Sequence, residues 1–162
     1  MSTLARKLSH ALGAVLLTVS SLTVFSQELP VKFDPQRDAT KDVRTATALA
    51  KAQGKRVIVD VGGEWCKWCH FLDKFIDTTP EVKNALDKNF VWVKVNWSPD
   101  NKNVALLSQW PKIKGYPHLF VLDAEGKLLH SQNTGDLEAE EGKDTYDKPK
   151  VMAFINQQIA KR

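Results

Sequence analysis

Cysteine is scarce, with two in 162 residues, so the chain can form one disulfide and no framework of them. Nor is there a charge excess of the kind a polyanionic partner needs. Lysine and arginine number 23 against 19 aspartates and glutamates. Setting aside Arg6 and Lys7, which lie in a segment read below as a leader, 21 basic residues face 19 acidic ones, a net charge of +2. The lysines are spread among loops and helix exteriors without interleaved aromatics, which argues against a nucleic-acid partner. No apolar run reaches the roughly 20 residues of a membrane span. The longest, Ala11 to Phe25, is 15 residues and is interrupted by Thr18, Ser20, Ser21 and Thr23. Internal repeats and low-complexity tracts are missing as well. What is present, 43% apolar and 26% charged residues, suits one soluble domain whose core needs no metal or disulfide staple.

Residues 1–26 have the layout of a secretory signal: Arg6-Lys7, the apolar run, then Val24 and Ser26 at the small-residue positions before a cut,. Cleavage there makes Gln27 the first mature residue and places the protein outside the cytoplasm, periplasmic or secreted. Membrane attachment arises only if that leader stays uncleaved. No cysteine follows the run, so a lipid anchor at the cut has no support. Export puts the two thiols where disulfides form and persist.

From Gln27 to Asp38 the chain carries Pro30 and Pro35 and no period, an extended lead-in. Ala39, Val43, Ala46, Leu49 or Ala50, and Gln53 then fall at helical spacing, with Asp38 or Thr40 as cap and Gly54 as terminator,. The strand Arg56 to Val61 is apolar on both faces apart from Asp60, as a covered central strand reads. An aspartate inside that run is an anomaly. A helix is expected from the cysteines to Thr78, with Cys69, Leu72, Phe75 and Ile76 on one stripe, and another from Thr79-Pro80 to Lys88 with threonine as N-cap. A strand Phe90 to Val95, a polar loop at 98–103 and a helix from Val104 to Gln109 follow. Next come a strand His118 to Leu122, a turn at Asp123 to Gly126, and a strand Lys127 to Ser131. Residues 133–149 read as polar and irregular. Val151, Phe154, Ile155 and Ile159 make a final helix that packs on the sheet. Trp92 and Trp97 are read as core aromatics.

Both cysteines fall in Cys66-Lys67-Trp68-Cys69-His70. Two cysteines separated by two residues, after a strand and at a helix start, form a redox dithiol, because one helical turn brings the sulfurs together. The same letters also spell a c-type haem attachment site, with His70 as proximal ligand and Met152, His118 or His130 as distal one. A third chemistry is transient carriage of a soft ion such as copper(I) by Cys66, Cys69 and His70. A purely structural disulfide is weakly motivated, since so short a loop constrains little of the unfolded chain.

Three stretches together resemble the thioredoxin family. Val59-Asp60, four residues, then Trp65-Cys66-x-x-Cys69 match its strand, buried acid and active-site helix. Val93-Lys94-Val95-Asn96 resembles its next strand, with a lysine facing that acid. Ile113-Lys114-Gly115-Tyr116-Pro117 resembles its loop with a cis proline beside the dithiol. The likeness covers roughly residues 40–160, within one domain from 27 to 162, and is strongest toward exported thioredoxin-like proteins and disulfide-reductase and isomerase domains. It implies an α/β thioredoxin fold, a mixed central sheet flanked by helices. It also implies a thiol-disulfide oxidoreductase acting on proteins that bear thiols or disulfides, supplied by a redox partner protein and needing no cofactor.

On that reading Cys66, at a helix N-terminus that favours an anion and beside Lys67, is the nucleophile. Cys69 resolves the mixed disulfide. Asp60, its charge shared with Lys94, accepts the proton of Cys69. Trp65, Lys67, Trp68, Tyr116 and Pro117 form the surface that meets partners, the cis Pro117 leaving the Tyr116 backbone open to a substrate strand. The Asp60–Lys94 pair resembles the reducing members of the family, while Lys67 and the oxidising compartment point the other way; reductase or isomerase is expected ahead of oxidase. Three departures from the family pattern stand out: Lys67-Trp68 in place of glycine-proline, Gly62 where an aromatic is expected, and an insertion at 136–149.

Overall fold

The computed structural model describes residues 28–159; the leader read at 1–26 lies outside the described residues. Helix α1, Ala39–Gln53, starts at Asp38, whose side chain accepts from the Lys41 N–H, and ends at Gly54 in the left-handed region at φ 64°. Strand β1, Arg56–Gly62, begins two residues later and is buried from Val57 onward. After the dithiol come α2, Lys67–Thr78, and α3, Pro80–Asn89. Thr79 stands at the α3 cap position but makes no side-chain cap hydrogen bond, so proline in the first turn sets that start,. Strand β2 is Phe90–Asn96, α4 the single turn Val104–Leu107, β3 His118–Leu122, and β4 Leu128–Asn133. A 3-10 turn, Thr134–Leu137, leads to α5, Lys148–Gln158. That last helix begins earlier than its apolar stripe suggests, because the Asp147 side chain caps it by accepting from the Lys150 N–H,.

The sheet order is β2-β1-β3-β4. β1 runs parallel to β2, with Asp60 beside Lys94, and antiparallel to β3, with Asp60 beside Leu119. β3 and β4 form the hairpin expected at Asp123 to Gly126. This is the mixed sheet of a thioredoxin fold. Its central strand alternates in the ordinary way: Val57, Val59 and Val61 face α1, together with Val91, Val93, Val95 and Phe120. Ile58 faces the other layer, with Leu72 and Phe75 of α2, Val82 and Leu86 of α3, and Phe154 and Ile155 of α5. Asp60 and Gly62 share the face of Ile58, because side chains repeat every second residue. The anomalous aspartate therefore points toward the layer that carries the cysteines.

The stretch read as irregular is more ordered than its composition suggests. Glu138 and Tyr146 form an isolated antiparallel bridge, and Leu137 and Tyr146 are buried in the α2/α3/α5 core. Two apolar side chains among many charged ones give no period, so the sequence pattern conceals them.

Candidate active site

Cys66 is the N-cap of α2: its Sγ accepts from the Cys69 backbone N–H at 3.2 Å. The two cysteines are joined as a disulfide, their Cα atoms 5.2 Å apart. Both are almost wholly buried, Cys66 at 3% exposure and Cys69 at 1%. Of the two, Cys66 stands at the open helix end and Cys69 one turn in, against the sheet. A Cβ added to Gly62 would sit 2.4 Å from the Cys69 Sγ, so the end of β1 and the inner sulfur are in direct contact.

Two residues back along the same face, about 6.6 Å by strand rise, lies Asp60, 1% exposed. Its Oδ2 accepts from the Lys94 ammonium at 3.0 Å, while its Oδ1 is buried and has no hydrogen-bond partner. Lys94 donates as well to Asp73 Oδ1 at 2.7 Å, on α2 one turn beyond Cys69. Burial raises the Asp60 pKa above the ordinary carboxylate range, and the Lys94 charge opposes that rise without cancelling it,. For Lys94, burial works against the ammonium, but Asp60 and Asp73 outweigh it and hold its pKa above that of a free lysine. Lys94 thus bridges the two carboxylates.

The rim is aromatic. Trp65 is 54% exposed, and its indole N–H donates to the Trp97 carbonyl at 2.9 Å. Gly63 permits this approach, since a Cβ there would fall 2.2 Å from the indole nitrogen. Tyr116 stacks on Trp97 with ring centroids 5.0 Å apart and meets Trp65 edge-on at 5.5 Å. Trp97, partly buried, packs against the α1-side core as expected and also borders the rim; Trp92 is half-buried on the α2/α3/α5 layer. The Tyr116–Pro117 peptide bond is cis, and the Pro117 carbonyl accepts from the Thr134 hydroxyl at 2.6 Å. His118 is the first rung of the sheet, paired with Val61 and Asn133, so Tyr116 lies beyond the last rung.

Lys67 and Trp68 turn toward the insertion. The Lys67 ammonium reaches Asp144 at 3.0 Å, both side chains exposed. Trp68 packs edge-on against Phe71 and Tyr146, and the Tyr146 hydroxyl donates to the Trp68 carbonyl at 3.3 Å. Burial pushes the Tyr146 pKa well up. His70 is exposed, with its Nε2 donating to the Glu64 carbonyl at 2.8 Å. His118, held by Ser131 at 2.8 Å and facing Phe120, and His130, against Phe154, are engaged on the hairpin. Among the described residues no three histidine, cysteine or carboxylate side chains cluster as a metal site.

Residues 38–124 match the thioredoxin-like family model, a span of more than half the chain. The chain belongs to the thioredoxin-like family. This thioredoxin-like protein is 30% identical over 99 residues to a thiol:disulfide interchange protein DsbD from Pseudoalteromonas atlantica, covering 60% of the chain and 17% of that relative. It is 32% identical over 93 residues to the Cronobacter sakazakii DsbD, covering 57% and 16%. The chain therefore spans about a sixth of the length of these curated relatives. Among solved structures, a disulphide isomerase from Xylella fastidiosa Temecula1 superposes with a TM-score of 0.64 at 26% identity, covering 80% of this chain and 96% of that one. The oxidised C-terminal domain of Neisseria meningitidis DsbD gives 0.53 at 20% identity, covering 74% and 95%; at that identity the likeness speaks for the fold. The thioredoxin-like chain thus carries the paired cysteines of a disulfide oxidoreductase on the matching fold.

Sequence reasoning had no signal for four residues at this site. Asp73 lies four positions after Cys69, which is where a helix returns to the same face, yet it reads as a surface charge. Trp97 follows β2 directly, Tyr146 sits in a polar stretch, and Phe33 lies in the proline-bearing lead-in.

Proposed function

We propose that this protein is an exported thiol-disulfide oxidoreductase that works in the reducing or isomerising direction on proteins bearing disulfides. The observation that carries the reading is the stacking of three layers of chemistry: Cys66 at the N-cap of α2, Cys69 one turn further in, and the buried Asp60–Lys94 pair beneath Cys69.

In the reducing direction the Cys66 thiolate attacks one sulfur of a partner disulfide. That S–S bond breaks, and the partner's other sulfur leaves as a thiolate that takes a proton from solvent. Cys69 gives its proton to the free Oδ1 of Asp60 and attacks the Cys66 sulfur. The mixed disulfide breaks and the partner's second thiolate departs. Two electrons have passed to the partner and Cys66–Cys69 is left oxidised, to be reduced again by an upstream dithiol protein. A carboxyl whose pKa burial raises above the ordinary range is a better proton acceptor than a solvated one. The exchange runs through sulfur and needs no cofactor.

Trp65, Trp97 and Tyr116 give partners an apolar landing surface, and Lys67 and Trp68 border it. The sheet ladder ends at His118, and the Tyr116 backbone just before it is offered to an extended partner segment. The printed names of the relatives, interchange protein and disulphide isomerase, support partners of this class. Export rests on the leader, and among the described residues no helix is long and apolar enough to cross a membrane.

Equilibrating the protein with glutathione mixtures and following the Cys66–Cys69 state gives the deciding potential. A value between about −270 and −180 mV, the thioredoxin to disulfide-isomerase range, is expected. One near −120 mV overturns the direction, and a pair that never exchanges with glutathione overturns the function.

A further inference from the structure

Phe33 precedes α1, in the lead-in, and yet it is 3% exposed and packs with Cys66 and Cys69 in one cluster. Its ring lies 3.0 Å from where a Cβ on Gly62 would stand, on the side where that Cβ would also meet the Cys69 sulfur. The Lys94 ammonium sits 4.1 Å from the centroid of the same ring. One aromatic side chain thus touches the inner cysteine, the end of β1 and the cation that holds Asp60. We infer that Phe33 is a positioning residue of the dithiol site, a wall supplied from outside the fold's core elements that keeps water off the Cys69 sulfur and the Lys94–Asp60 pair.

The segment carrying Phe33 is tied down at several points. The Phe33 N–H donates to the Glu64 carboxylate at 3.0 Å, two residues before Cys66. Asn101 donates to the Pro35 carbonyl at 2.9 Å. Arg37 grips Asp42 through two hydrogen bonds, at 2.6 and 2.7 Å, and reaches back to the Glu28 carbonyl. The lead-in is therefore a strap fixed to the active-site turn, to the loop after β2 and to α1. Beside it a cleft of about 440 Å³ runs between Leu29, Pro30 and Val31 and the side chains of Asp73 and Lys94. Its lining includes neither cysteine, nor Asp60, nor Phe33. Solvent thus reaches the outer edge of the ion cluster and stops short of the sulfur.

Two physical effects follow from the ring. Excluding water keeps the charged forms of Cys69 and Asp60 costly, so protons pass between them and not to bulk. The π-face favours the ammonium of Lys94. The titratable groups facing Asp60 are Lys94 from β2, Asp73 and Cys69 from α2, and Tyr146 from the insertion. None is on the strap, so Phe33 acts by exclusion and by its ring and not by charge.

The inference rests on the dithiol-exchange reading, and the test separates the two. In the full chain carrying Cys66→Ser, the rate at which iodoacetamide alkylates Cys69 is measured against pH, with Phe33→Ala and Phe33→Leu added singly. Phe33→Ala is expected to raise the rate at pH 7 about tenfold and move the profile about one unit to lower pH, as hydration of the thiolate requires. Phe33→Leu, which keeps bulk and the fold but loses the ring, is expected to give a smaller shift of the same sign. Profiles that coincide with that of the parent overturn the inference, and if Phe33→Ala does not fold, the leucine variant alone decides. Glutathione exchange by the unsubstituted protein reports on the exchange reading separately: its failure sinks that reading, while coincident alkylation profiles sink only the role of Phe33.

Discussion

Replacing Lys94 by methionine isolates the electrostatics of the buried pair. Methionine keeps the unbranched stem and removes the ammonium, so Asp60, 1% exposed, loses its counter-charge. An unpaired buried carboxylate escapes by taking up a proton, and the cost of doing so bounds the damage. That cost is about 1.4 kcal/mol for each pH unit above the unfolded-chain pKa of about 3.9. At pH 7 the bound is about 4 kcal/mol, within the range of about 3–5 kcal/mol for breaking a buried pair. At pH 5 it shrinks to about 1.5 kcal/mol. The sign follows from the direction of the shift. Burial already raises the Asp60 pKa with Lys94 opposing it, so removing Lys94 raises it further. A carboxylate whose folded pKa exceeds its unfolded one weakens the fold progressively as pH climbs from the lower value to the higher. The deficit of Lys94→Met relative to the parent should therefore grow with pH once the parent's own, already raised Asp60 pKa is passed,. Urea unfolding of the oxidised protein at both pH values, followed by tryptophan fluorescence, measures it. An equal deficit at both, or none, refutes the reasoning, and the Asp60→Asn/Lys94→Met double variant should lose the pH dependence altogether.

Other outcomes are equally checkable. Cys69→Ala should accumulate a mixed disulfide between Cys66 and a partner on a non-reducing gel, and Cys66→Ala should accumulate none. Tyr146→Ala, emptying a site 3% exposed, should cost about 3 kcal/mol. Tyr146→Phe, losing only the 3.3 Å hydrogen bond to Trp68, should cost no more than about 1 kcal/mol, so similar melting points for the two would count against the packing described. Asp144→Asn breaks an ion pair with both partners exposed and should shift stability by less than about 0.5 kcal/mol. Gly63→Ala should push the Trp65 indole off the Trp97 carbonyl and change tryptophan emission; an unaltered spectrum would contradict the contact.

The fold was legible because its signals are local and repeated: a strand apolar on both faces, helices with caps and stripes, a hairpin turn. Asp60 was visible as a polar interruption in that strand, and Lys94 only because the family likeness placed it opposite. Its second partner was not legible. Asp73 looks like any solvated helix carboxylate, and nothing local says that a buried ammonium arrives from β2. Phe33 and Tyr146 escaped notice for a related reason. Each is a single apolar side chain in a stretch without period, and its burial is decided by a contact some thirty or more residues away in the chain. Trp97 was legible as a core aromatic, and it does pack on the core; its second contact, with Trp65 and Tyr116, had no local signal.

The packing of Tyr146 on Trp68, with Asp144 reaching Lys67, bears on how such proteins are engineered. The two residues between the cysteines sit closest in sequence to both sulfurs. In this chain they are also a socket for a distant loop. Swapping Lys67-Trp68 for a dipeptide without the indole would uncover the Tyr146 ring and unseat the loop. Transplanting the dipeptide elsewhere would carry its letters without its support. A graft or a redesign here must move both pieces together, as one part.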